Sequence, residues 1–104
     1  MEQLPRELLE YYASGGAQSC ELQVGPYLCE FWPPEEVQQY NADYHVPEFA
    51  PGFLGFATNG GGEMLAISPT GTVVYLPFIG MAPAEALLVA ETWQRFVSML
   101  KPVE

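Results

Sequence analysis

Three short apolar runs separated by two tight turns constrain this chain more than any other feature. Phe53-Leu54-Gly55-Phe56-Ala57, Glu63-Met64-Leu65-Ala66-Ile67 and Thr72-Val73-Val74-Tyr75-Leu76 are rich in strand formers. Asn59-Gly60-Gly61-Gly62 divides the first pair, and Ser68-Pro69-Thr70-Gly71 divides the second. Glycine supplies the positive φ that tight hairpin turns need. Links this short make an antiparallel meander the economical topology. The glycine run also invites comparison with a phosphate-binding loop. That chemistry needs backbone N–H groups at a helix start and usually a lysine. Here a strand follows, Glu63 is adjacent and no lysine is near, so the run reads as a hairpin turn.

The segments before the meander alternate between helix and strand signals. Pro5 suits a first helical position, where its missing N–H costs nothing. Leu8, Leu9 and Tyr12 follow at helical spacing, and Gly15-Gly16 ends the helix. Cys20 to Val24 alternates polar and apolar, Gly25-Pro26 turns the chain, and Tyr27 to Trp32 is a second strand. Pro33-Pro34-Glu35-Glu36 opens a short helix with its acids at the positive end of the dipole, and Val37 and Tyr40 form its apolar stripe. Asn41 to Pro51 has no clear period and reads as a long loop.

The stretch from Ala82 to Leu100 is helix-rich. Val89, Trp93, Phe96, Val97 and Leu100 fall on one helical face, and Pro102 ends the pattern. One helix from Pro83 satisfies that spacing. A separate final helix capped by Thr92, after a short element at Leu87-Leu88-Val89, satisfies it equally.

Charge narrows the function classes. The chain has 104 residues, with 13 acids against 3 bases and a net charge of -10. A direct nucleic-acid partner is not expected, because such binders neutralise phosphates with lysine and arginine. An anionic membrane surface is disfavoured for the same reason, and the apolar runs are too short to span a bilayer. The opening Met1 to Glu7 carries acid where a secretory signal carries base, so a cytoplasmic protein is expected. With 49% hydrophobic and 15% charged residues the chain is expected to fold, as a single domain over 1–104.

No catalytic constellation assembles from the residue types. Cys20 and Cys29 are expected to be two reduced, part-buried cysteines; a redox pair is the alternative if the segment folds back as a hairpin, although the spacing matches no CxxC motif. His45 is the only histidine, so no metal site and no cofactor are expected. Ser68 lies in a Ser-Pro turn with no base in sight. A carboxylate pair of the glycosidase type is the remaining enzymatic reading, and scattered acids on an acidic surface are usually just solvated. Glu30, Glu35, Glu36, Asp43 and Glu48 fall in one stretch without lysine or arginine. They are either a solvated surface or an anionic docking face for a basic partner. Trp32 beside them is either a binding anchor or a staple under the second helix, and burial is the favoured reading.

The order of these pieces resembles the SUKH superfamily, which includes fungal cell-wall-assembly regulators and bacterial toxin-immunity proteins. Leu4-Pro5-Arg6-Glu7-Leu8-Leu9 ending in Gly15-Gly16 is similar to the family's opening. Leu28 to Trp32, Glu35-Glu36-Val37 and Tyr40-Asn41 are similar to its strand, tryptophan, short helix and asparagine. Pro51 to Ala57 with Asn59 to Glu63, Gly71 to Tyr75, and Ala90 to Val97 are similar to its hairpin, next strand and last helix. One departure is Ser68, since the strand after the glycine turn usually ends in aspartate and here Ile67 is followed by Ser68-Pro69. The resemblance implies an α+β domain, a twisted antiparallel β-sheet with helices packed against it. It also implies a non-catalytic protein that binds and blocks a cognate toxin, often a nuclease or deaminase with a basic cleft. The alternative is a regulatory interaction module of the cell-wall-assembly type. The partner-binding candidates are then Glu30, Trp32, Glu35, Glu36, Asp43 and Glu48.

Overall fold

The computed structural model describes residues 5–16, 18–22 and 28–102. Helix α1 covers Arg6–Ala13, and strands β1 and β2 cover Ser19–Leu22 and Leu28–Phe31. A 3-10 turn at Pro34–Glu36 leads into α2, Val37–Asp43, and α3, Val46–Phe49. The meander follows as β3, Leu54–Thr58, β4, Glu63–Ile67, and β5, Val73–Pro77. Another 3-10 turn, Pro83–Glu85, precedes β6, Leu87–Ala90. Helix α4, Trp93–Met99, runs into β7, Leu100–Pro102. The expected turn at Gly25-Pro26 and the strand residues beside it lie outside the described residues.

The expected α+β class is what the chain adopts, an antiparallel seven-stranded sheet curled into a half-barrel with four helices. Strand order is β6-β5-β4-β3-β2-β1-β7. Six strands therefore form a sequential meander, and β7 returns to pair antiparallel with β1 through Glu21 opposite Lys101.

Helices cover both faces of the sheet. Leu8 from α1 and Phe96 from α4 bury one face together with Cys29, Phe31, Phe56, Leu65 and Val73. Val37 from α2 and Val46 from α3 bury the other with Trp32, Met64, Ala66, Val74 and Leu76. An irregularity in the β3–β4 register between Gly55 and Ala57 makes this division possible. The extra residue lets Phe56 and Ala57 both enter the α1/α4 layer, while Gly55 is paired with Ala66 of the α2/α3 layer. On the α1 side, Tyr11 stacks on Phe31 with ring centroids 4.5 Å apart, and Trp93 meets Phe56 edge-on at 5.2 Å. In α1 it is Leu8, Tyr11 and Tyr12 that face inward, and Leu9 is 45% exposed, contrary to its place in the expected stripe.

Two other expectations are corrected. Asn41 to Pro51 is not a loop, because α2 continues to Asp43 and α3 follows at once. Asn41 tolerates the helix because its amide is fully occupied by backbone partners and does not compete for its own turn. His45, at φ 59, breaks the chain between the helices, and Pro47 sits in the first turn of α3. In the C-terminal part, the reading with two elements holds. Thr92 Oγ1 accepts from the Arg95 N–H at 3.0 Å and starts α4. Pro102 does not end a helix, since α4 stops at Met99 and Leu100–Pro102 form β7.

Both meander turns are fastened by a side chain. Asn59 Oδ1 accepts from the Gly61 N–H at 2.8 Å, while Gly60 and Gly62 adopt φ values of 77° and 94°. Ser68 Oγ accepts from the backbone N–H groups of Thr72, at 3.1 Å, and Thr70, at 3.3 Å. A short acceptor is what this turn needs, and Ser68 supplies it.

Candidate functional site

The corner where β2 leaves the sheet gathers several of the candidate residues. Trp32 N–H donates to Phe56 O at 2.9 Å, and Pro33-Pro34 then redirects the chain away from β3. Trp32 is 8% exposed, so the favoured reading of a buried indole holds. Its ring lies 4.9 Å from that of Tyr40 and 6.2 Å from that of Tyr44, both on or just after α2. Tyr44 extends the aromatic layer to Phe78 at 4.5 Å. Trp32 therefore acts as the staple that fixes α2 over the sheet.

A cleft opens beside this indole, lined by Tyr12, Gly16, Gln18, Trp32, Pro33, Pro34 and Glu35. Tyr12 closes one wall, its hydroxyl donating to Trp32 O. Burial pushes the Tyr12 phenol up to about 12, with smaller contributions from Cys29 and the Glu35 carboxylate. The phenol therefore stays protonated at neutral pH and offers a polar group beside a carboxylate. Glu35 and Glu36 are exposed and adjacent in the 3-10 turn. Glu36 accepts a hydrogen bond from the Tyr40 hydroxyl, which together with the nearby Asp43 charge raises that phenol above its ordinary value. Asp43 Oδ1 also accepts from Gln39 Nε2 at 2.8 Å.

Trp32 and Glu35 thus share the cleft with Tyr12, Glu36 adjoins it through Tyr40, and Asp43 stands further along α2, bonded to Gln39. Glu48 stands on α3, its carboxylate 3.4 Å from His45 Nδ1. Glu30 is exposed on β2, opposite Thr58 of β3. By strand parity it points to the α2 side, since Phe31 enters the α1/α4 layer. Neither is among the described residues that line the cleft.

Sequence reasoning missed Tyr12 and Tyr40 as members of this neighbourhood. Helical spacing marks both as packing residues and does not show where a hydroxyl ends up. Among the described residues no group of three or more His, Cys, Asp or Glu side chains could hold a metal ion. Nor is any described helix long and apolar enough to cross a membrane.

The architecture is that of a small α+β fold with a cleft at the β2 corner, where Glu35 stands beside Trp32 and Tyr12. The chain belongs to the SMI1 / KNR4 family (SUKH-1), whose model matches residues 2–99. That family includes toxin immunity proteins. No curated protein matches the chain.

Proposed function

We propose that this chain is an immunity-type protein that acts as one domain over 1–104 and neutralises a basic toxin domain by binding it, without catalysis. The observation that carries this reading is the cleft that sets the Glu35 carboxylate beside Trp32 and Tyr12, with Glu36 next in the chain and hydrogen-bonded to Tyr40. A guanidinium or ammonium group entering the cleft meets a carboxylate and aromatic surface together, the combination that favours a cation over a neutral side chain. Glu30 and Glu48 extend the negative field that steers a basic partner toward the cleft. The charge balance of the chain, -10, supports the same partner chemistry.

The test is association kinetics between this protein and the toxin domain encoded beside it, across a salt series. Association should slow by roughly tenfold or more from low to physiological salt. The triple variant E35Q/E36Q/D43N should show a slower rate and a flatter salt response. Binding that is insensitive to both salt and the triple change would support the regulatory-module alternative, with a mainly apolar contact. Absence of any toxin partner together with no capture of a basic domain at low salt would overturn the immunity reading.

A further inference from the structure

Among the described residues, the sheet ends at β6 with no strand on its outer side. This strand pairs with β5 on one side and is last in the strand order. Tyr75 stands opposite Leu87, and Val74 stands opposite Leu88. Leu87 therefore lies on the α1/α4 side and Leu88 on the α2/α3 side. They are 60% and 61% exposed, so both side chains stand open, while Val89 and Ala90 further along the strand pack into the α1/α4 layer. Ile79, 93% exposed, lies in the connection that brings the chain from β5 to this edge. Glu85 and Glu91 bracket the strand, both exposed, and no lysine or arginine occurs between Arg6 and Arg95.

We infer that β6 is a docking edge for an extended segment of another protein, flanked by lysine or arginine and added as an eighth strand. An unpaired strand edge offers a row of backbone donors and acceptors, and apolar side chains of an added strand would meet Leu87 on one face and Leu88 on the other. Charge selects the occupant. Antiparallel pairing of β6 with a second copy, centred on Leu88, would set Glu85 of each chain opposite Glu91 of the other. Like charges directly across a strand pair are destabilising, and here the clash occurs twice. Basic residues at the same places turn both contacts into attractions. The edge is separate from the Trp32 cleft, because β2 stands four places away in the strand order. The inference therefore stands or falls apart from the immunity reading.

The experiment is an amide NMR titration of the full chain with a capped peptide, Lys-Thr-Val-Val-Thr-Lys, and with the same peptide carrying glutamate at both ends. The lysine peptide should move the amide signals of Leu87 to Ala90 and bind roughly tenfold more tightly than the glutamate peptide at low salt, with the gap narrowing as salt rises. The exposed variant L88N should weaken that binding while leaving the rest of the spectrum in place. No movement at β6 with millimolar lysine peptide, or equal binding of both peptides, would overturn the inference. A dimer forming through β6 in the absence of peptide would overturn it in favour of a second copy.

Discussion

Asn41 holds both backbone polar groups of Gly55. Its Nδ2 donates to Gly55 O at 2.8 Å, and its Oδ1 accepts from the Gly55 N–H at 2.8 Å. The same Nδ2 donates to Val37 O at 2.7 Å. A side-chain amide thus does for Gly55 what a neighbouring strand would do, at the point where β3 changes register. Because Asn41 belongs to α2, the contact also sets where Tyr40, Asp43 and Tyr44 stand relative to Trp32.

Asn41→Ala should therefore destabilise the protein by about 2–3 kcal/mol, the cost of leaving buried donor and acceptor groups of Gly55 unpaired. Urea unfolding measures it. The change should also loosen α2, so the tryptophan emission, which includes Trp32, should shift to the red in the native state. A loss below about 0.5 kcal/mol would show that other groups or water take over the pairing.

Gly55→Ala tests how closely the layers approach. A Cβ there would lie 2.5 Å from Met64 Sδ and 3.3 Å from the Trp32 ring. Met64 is fully buried, so its thioether has little room to retreat. Overpacking of this kind costs about 1–3 kcal/mol, visible as a lower melting temperature. The double variant G55A/M64A should recover part of the loss, because the clash and its relief share one site.

Ser68→Ala removes the acceptor for the Thr70 and Thr72 N–H groups in the β4–β5 turn. Ser68 is 9% exposed, and the expected cost is about 1–2 kcal/mol in chemical unfolding. Ser68→Asp keeps an acceptor at the same reach and should retain most of the stability. Equal losses in the two variants would show that the hydroxyl's contact with Thr72 Oγ1, at 2.6 Å, matters more than the turn bonds.

Alkaline pH should unfold the protein before it changes anything on its surface. Burial raises the thiols of Cys20 and Cys29 and the phenols of Tyr11 and Tyr12. The unfolded chain loses these protons first, so stability is full below the ordinary thiol value of 9.0 and falls as pH climbs toward the raised folded values. The midpoint of urea unfolding should drop between pH 8 and pH 10, and Cys29→Ala should flatten that drop. Both thiols should resist alkylation in the native protein and react on unfolding.

Much of the fold was legible because its signals are local. The Asn59 and Ser68 turns announce their hairpins, and Thr92 offers one of the two readings of the last helix, the one the structure adopts. What stayed hidden depends on partners distant in sequence. Leu100–Pro102 has no strand signature of its own and becomes β7 only by pairing with β1. Asn41 opens a stretch that reads as a loop until Gly55 is placed beside it. Cys20 and Cys29 face each other across the first hairpin and are both buried, deeper than the part-buried placement expected of them. The acid-rich stretch was visible in the sequence, but its division between a cleft, a strand face and α3 was not. That division follows from the turn at Pro33-Pro34 and the break at His45, neither of which fixes a direction until the sheet is built.

The return of the chain from β6 to β7 carries a geometric consequence. A flat sheet of this many strands would hold its two outer strands about 29 Å apart, at about 4.8 Å per spacing. The link between them runs from Ala90 to Leu100 and is mostly the helix α4. A helix rises only 1.5 Å per residue, so even with its ends drawn out this link reaches at most about 24 Å. The tether is too short for a flat sheet, and the curvature of the half-barrel is set by the length of its own strap. Lengthening the segment between Ala90 and Trp93 would slacken that strap and let the two rims part, so a few residues far from the Trp32 cleft govern how wide the molecule opens.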